Sequence, residues 1–238
     1  MDYLRLRPEE YRQLKKHRPV AYLPLGTLEW HGEHLPLGSD ALQSHSFFLL
    51  AAERIGGIVL PPFFLGPDCR EADTDLIGMD TCPAKDGSYP PQKLDGSAYW
   101  VADDLFEAML EAALSQLARA GFKVVVAHGH GPSTSCFAKN RAAWSARYGL
   151  SLIHLWNELG DQGLGFMVDH AAANETSIMM ALHPDLVDLS QIADLERPVG
   201  IAGEHPIPNA SAELGHRIIA AQLDWLSEQV GSALLKVE

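Results

Sequence analysis

The chain has 238 residues, 47% of them hydrophobic and 21% charged, and a formal net charge of −13; that composition excludes a disordered or low-complexity scaffold. The longest apolar stretches are broken by Gly, Pro or charge, so no run of about 18 apolar residues offers a membrane-spanning helix. The excess of Asp and Glu also excludes a nucleic-acid or anionic-membrane partner, which would need clustered Lys and Arg.

Residues 1–19 are basic without an apolar core, unlike a secretory leader. Cys69, Cys82 and Cys136 are odd in number and widely spaced, which suits neither a disulfide framework nor a thiolate zinc site. A reducing cytoplasm is the expected compartment. From there the chain alternates short apolar runs with amphipathic stretches, the pattern of βαβ units around a mostly parallel sheet. Val20 to Leu25 reads as the first strand, closed by Gly26. Ala41 to Ile55 reads as a helix with Ser39 or Asp40 as N-cap and Gly56-Gly57 as its stop. Ile58 to Leu65 is a second apolar run, demoted in its middle by Pro61-Pro62. Residues 67–96 hold six aspartates, three glycines and several prolines and have little periodicity, as expected of an inserted loop that faces a site or a partner. Ser97 to Arg119 has helical spacing, and Phe122 to Ala127 is a β-rich run suited to burial on both faces. Ser133 to Tyr148, Ala171 to Leu182 and Ala210 to Val230 read as helices, and Leu150 to Leu155 as a strand. Together these elements predict one domain over residues 1–238.

Three segments carry chemistry. Gly26-Thr-Leu-Glu-Trp-His-Gly-Glu-His-Leu-Pro-Leu-Gly-Ser-Asp40 follows the first strand directly. Its Glu29 and His31 leave the carboxyl end of that strand, where open α/β sheets collect ligands, and residues two apart on extended chain share a direction. With Asp40 at the next helix start they form an inventory for Zn, Mn or Fe(II); the alternative is a turn cap, a packed histidine and an N-cap. Val124-Val-Val-Ala-His-Gly-His-Gly-Pro132 brings His128 and His130 to the end of a buried strand, or is only a Gly-rich turn. In Asp169-His170-Ala-Ala-Ala-Asn-Glu175-Thr-Ser, His170 and Glu175 are about 140° of helical rotation apart. They can share a pocket if His170 precedes the helix and Glu175 lies in its first turns, where a Glu is also favoured by the helix dipole alone. Glu33 and His34 are candidates for orienting His31 or Asp40. Arg70, Asp73, Asp75 and Lys85 of the inserted segment could add substrate polarity. Cys136 has no evident base, and of the five tryptophans only Trp30 and Trp156 fall near the carboxyl end of a strand.

Glu-x-His-Gly-x-His-Leu-Pro-x-x-Ser-Asp, then a strand into Gly-His-Gly, then His-Ala-x-x-x-Glu-Thr-Ser, resembles the creatininase (creatinine amidohydrolase) family. Gly200-Ile-Ala-Gly-Glu-His-Pro and Ala210-Ser-Ala-Glu-Leu-Gly215 resemble that family's closing segment. The resemblance implies a three-layer α/β/α sandwich around a mostly parallel sheet, two divalent ions (Zn, Mn or Fe) per chain, and a homo-oligomer, often a hexamer. It implies that Asp40 bridges the ions, that Glu29 and His130 complete one site, and that His31 holds the other. Pro132 stands where creatininase has the remaining ligand, for which Glu175 is the expected substitute. By the same resemblance His170, with Glu175, does acid/base work or polarises the substrate carbonyl, His128 replaces the family's usual Asn, and Phe166 a substrate-stacking Trp; these two, with Trp30 near its strand end, are the substrate-binding candidates. The implied activity is hydrolysis of a C–N bond in a small polar substrate, an amide, cyclic amide or formamide. Ring opening of a cyclic keto-sugar, keto-inositol or lactone is the alternative, and a non-catalytic metal-binding assembly subunit is the alternative of another class.

Overall fold

A computed structural model describes residues 1–82, 89–155, 158–192 and 199–236. Helix α1 (Pro8–His17) precedes strand β1 (Val20–Leu25), α2 (Ser39–Ile55) and β2 (Ile58–Val59). After residues 67–96 come α3 (Asp103–Ala120), β3 (Val124–Gly129), α4 (Gly131–Tyr148), β4 (Ser151–Ile153), α5 (Ala173–Leu182), the short α6 (Pro206–Asn209) and α7 (Ala212–Leu235). The four strands form one parallel sheet in the order β2-β1-β3-β4.

Strand parity decides the layers. Side chains alternate across a sheet, and all six residues of β1 are buried. Val20, Tyr22, Val124 and Val126 therefore pack on one face, with Phe47 and Phe48 of α2, Ile178 of α5, and Ile218 and Leu226 of α7. Ala21, Leu23, Leu25, Val125 and Ala127 pack on the other, with Phe106 and Leu110 of α3 and Phe137 and Trp144 of α4. The result is the expected α/β/α sandwich, with apolar cores on both sides of a sheet that reads as continuous hydrophobic runs.

The connections position the site. From β1 the chain turns through α2 to β2 at one edge; it then crosses through α3, over the opposite face, to β3 on the far side of β1. The carboxyl ends of β1 and β3 are thus the point where the strand order reverses, and a crevice opens there. Their pairing runs to Leu25 opposite Gly129, and the His130 amide still donates to the Leu25 carbonyl at 2.9 Å.

Several boundaries differ from the sequence expectation. β2 stops at Val59, because Pro61 and Pro62 cannot continue a hydrogen-bonded ladder. α3 begins at Asp103, because the backbone of residues 97–101 is engaged with other segments: the Ala98 amide donates to Leu28 at 2.7 Å and the Val101 amide to Gly66 at 3.0 Å. α2 starts from Gly38, so Asp40 lies inside its first turn and is not the N-cap. α1 is an element the apolar pattern did not announce. Pro8, Glu9 and Glu10 in its first turn and Lys15, Lys16 and His17 in its last suit the helix dipole, while Tyr11 and Leu14 rest on the α3–α4 core. In residues 67–96, the buried carboxylate of Asp80 accepts from the amides of Ile77 (3.2 Å) and Leu94 (2.7 Å) and ties the two arms of the segment together. Among the described residues, no helix is long and apolar enough to cross a membrane.

Candidate metal centre

At the crevice, β1, α2, β3 and α5 bring Glu29, His31, Asp40, His130 and Glu175 together, all of them buried. His31 Nδ1 donates to the Glu29 carbonyl at 3.1 Å. Its Nε2 lies 3.7 Å from Asp40 Oδ1 and 3.7 Å from Glu175 Oε2. His130 Nδ1 is engaged by Ser133 Oγ at 3.0 Å, and its Nε2 lies 3.7 Å from Glu29 Oε2. Each imidazole is therefore held by one nitrogen and presents the other to carboxylates, as metal-binding histidines are held. His31 Nε2, His130 Nε2 and Asp40 Oδ2 are buried with no hydrogen-bond partner. Burying polar atoms unpaired is costly, and divalent metal bound against these atoms would satisfy them.

The ligand atoms fall into overlapping groups, each spanning no more than 4.8 Å: Glu29, Asp40 and His130; His31, Asp40 and Glu175; and Glu29, His31 and His170. Asp40 is common to the first two. Carboxylates and imidazoles at these separations fit a divalent metal.

The protonation of the metal-free cluster follows from its burial. Burial opposes charge on His31, but Asp40, Glu175 and Glu29 outweigh it and raise its pKa to about 10. His130 is raised to about 9, with Asp68, Glu29 and Asp40 overcoming its burial. Burial pushes Glu29 up to about 7 and Glu175 well above its ordinary value, whereas His31 holds Asp40 below its ordinary value despite burial. Both histidines thus favour the doubly protonated form at pH 7, and a metal bound to them would have to displace a proton from each. Metal uptake is expected to release more than one proton per chain, and metal affinity to rise with pH up to about pH 9–10. Calorimetric titration in two buffers of different ionisation enthalpy measures this; a heat independent of buffer would contradict it.

Asp169 and His170 immediately precede α5. The Asp169 carboxylate accepts from the amides of Asn174 (2.8 Å) and Glu175 (3.0 Å) and fixes the helix start. The Ala171 amide donates to Glu175 Oε2 at 2.7 Å, which aims that carboxylate back at His31. His170 Nε2 donates to the Trp30 carbonyl at 2.7 Å, and its ring lies 4.3 Å from that of His31. Burial, and then positive charge on His31, push His170 down to about 3, so its imidazole is neutral with Nδ1 as acceptor. A pocket of about 420 Å³ opens on this cluster. Glu29, Asp40, Asp68, His130, Asp169, His170 and Glu175 are among its polar lining, and Met79, Pro132, Met167, Val168 and Ala202 among its apolar lining.

The three expected substrate residues do not face that pocket. His128 shares the parity of Val124 and Val126, so it points into the α2–α7 core, where Nε2 donates to the Phe166 carbonyl at 3.1 Å. Phe166 is fully buried and packs on Phe47 with ring centroids 4.5 Å apart. The Trp30 indole donates to the Val199 carbonyl at 3.3 Å and lies against Gly200, so Trp30 serves the cluster through its carbonyl. Glu33 is exposed; His34 is buried beneath the cluster with Nε2 2.9 Å from Thr176 Oγ1. Arg70 lies over the Trp100 ring and Asp75 pairs with Lys93 at the surface; Lys85 and Trp156 lie outside the described residues. Asp68 was not singled out from the sequence, yet its Oδ2 stands 3.7 Å from His130 Nε2. It sits in a segment without periodicity, so no local pattern marked it.

A parallel α/β/α sheet whose reversal point buries carboxylates and imidazoles around unpaired Nε2 atoms has the make-up of a metal-binding protein. Comparison with known proteins gives the family. The family model for creatininase, described as creatinine amidohydrolase, matches residues 5–230, and the chain belongs to the creatininase family. It is 26% identical over 194 residues to the creatinine amidohydrolase of Pseudomonas putida, covering 74% of this chain and 68% of that protein. A crystal structure of creatinine amidohydrolase superposes with a TM-score of 0.75 at 22% identity, covering 97% of this chain and 96% of that one. A creatininase mutant in its Zn–Zn form gives 0.73 at 21% identity, covering 96% of each.

Proposed function

We propose that this protein is a dinuclear metal hydrolase that cleaves the C–N bond of a small polar amide, cyclic amide or formamide. The observation that carries the reading is the sharing of Asp40 between two ligand groups, Glu29–Asp40–His130 and His31–Asp40–Glu175. In this arrangement Glu175 takes the place that Pro132 leaves without a ligand. The Zn–Zn form of the related creatininase mutant is in keeping with two ions per chain, with Zn, Mn and Fe all compatible with these donors. Bound there, the ions would lower the pKa of a water and stabilise the oxyanion formed at the substrate carbonyl.

The residues of the chain supply position and proton handling. His31 and His130 are oriented by the Glu29 carbonyl and Ser133. His170, held in one tautomer by the Trp30 carbonyl, accepts a proton at Nδ1, and the same carbonyl then stabilises the imidazolium through Nε2–H. Met79, Met167, Val168 and Pro132 give the pocket an apolar wall for the carbon skeleton of a substrate. A pocket of about 420 Å³ is in the range of small-molecule sites. The family trait of a homo-oligomer extends to this chain under the same proposal.

The test is a panel of cyclic amides, formamides, keto-inositols and sugar lactones, run with Zn, Mn and Fe. Turnover of the amides is expected; turnover restricted to keto-inositols or lactones would move the reaction to ring opening, and none would leave the assembly-subunit reading. His170→Asn is expected to lower kcat by about 10²–10⁴-fold, the usual range for a lost acid/base, with metal content unchanged. Metal lost in parallel would make His170 a ligand instead.

A further inference from the structure

Residues 67–96 bring a carboxylate to this centre. We infer that Asp68 is an additional metal ligand on the His130 side of the centre, where it faces the same imidazole nitrogen as Glu29; the inference rests on the metal-centre reading above. Asp68 Oδ2 and Glu29 Oε2 each lie 3.7 Å from the same atom, His130 Nε2, which is buried and has no hydrogen-bond partner. Oxygen and nitrogen ligands at about 2.0–2.2 Å from one tetrahedral ion lie roughly 3.3–3.6 Å apart, so both carboxylates stand at ligand spacing from that imidazole.

The segment is built to hold Asp68 there. Its Oδ1 accepts from the Cys69 amide at 2.7 Å, which leaves Oδ2 to face His130. Its carbonyl accepts from the Trp100 indole at 3.3 Å. Gly78, at φ +59°, closes over it: a Cβ there would lie 2.3 Å from Asp68 Oδ2 and 3.2 Å from Glu29 Oε1. Asp68 and Glu29 also form the wall between the main pocket and a second one of about 280 Å³ behind it. Two carboxylates converging on one imidazole repel each other, and a cation between them removes that repulsion.

Asp68→Asn keeps the shape and the Cys69 contact but removes the charge. Full-length protein stripped of metal is titrated with Co²⁺ against a chromophoric chelator, and the visible Co²⁺ spectrum is recorded. One of two ions is expected to bind at least about tenfold more weakly with an altered spectrum, the other remaining as in wild type. Asp68→Ala, which removes the carboxylate without adding bulk, is expected to reproduce the loss and carries the test should Asp68→Asn fail to fold. Asp75→Asn, in the same segment but paired with Lys93 at the surface, is expected to match wild type. Unchanged affinities and spectrum in Asp68→Asn, with both ions lost in Asp40→Asn, would overturn the Asp68 assignment and leave the metal centre standing. A wild-type chain that takes up no Co²⁺ would overturn both.

Discussion

Asp40→Asn is expected to strip metal from both positions at once and to lower kcat/KM by about a thousandfold or more, ~4 kcal/mol of transition-state stabilisation. The reason is geometric. Asp40 belongs to two ligand groups that otherwise have no member in common. Its Oδ1 faces His31, and its Oδ2 is buried with no partner. An amide puts an NH₂ donor where a cation is required and removes the negative charge. Glu29 and Glu175 each serve one group of that pair, so Glu29→Gln and Glu175→Gln are expected to cost one ion each. Full metal content in purified Asp40→Asn would refute the shared role.

Gly129→Ala is expected to destabilise the protein by about 4 kcal/mol or more, placing it among the few substitutions that abolish folding outright. At Gly129, φ is +145°, and an added Cβ would lie 1.6 Å from the Leu25 carbonyl oxygen and 2.6 Å from its carbon. Both atoms are backbone of the neighbouring strand, so no side-chain rotation relieves the clash. β1 and β3 would have to part at the end that carries Glu29 and His130, and metal affinity is expected to fall with stability. Urea unfolding followed by circular dichroism, with metal content on any folded fraction, measures both; an unfolding free energy within about 0.5 kcal/mol of wild type would show that the strand ends separate without cost.

The sheet and the core of the centre were legible because each rests on local pattern. β1 and β3 are continuous apolar runs, and a strand ending in a charged or imidazole residue places that residue at the crevice. The order of the strands was not legible, since only the crossover through α3 decides that β1 and β3 are neighbours. His128 shows the limit of spacing. It lies two residues from His130, but the strand continues through it, so parity turns its ring into the core; the chain leaves the sheet only at His130, where φ is −40°. Phe166 and Trp30 were expected to meet substrate, and their packing against Phe47 and Gly200 was visible only in three dimensions. Asp68 was hidden for the opposite reason. Its segment is ordered by long-range ties through Asp80 and Trp100, and such ties leave no periodic trace in sequence.

The central claim is a two-ion centre built on Asp40. Its most direct test is the divalent metal content of tag-free protein purified without chelator, read by plasma mass spectrometry against amino-acid analysis. The account predicts about two ions per chain, as a dinuclear hydrolase requires. A chain that carries no divalent metal and takes up none when Zn, Mn or Fe is supplied would contradict it.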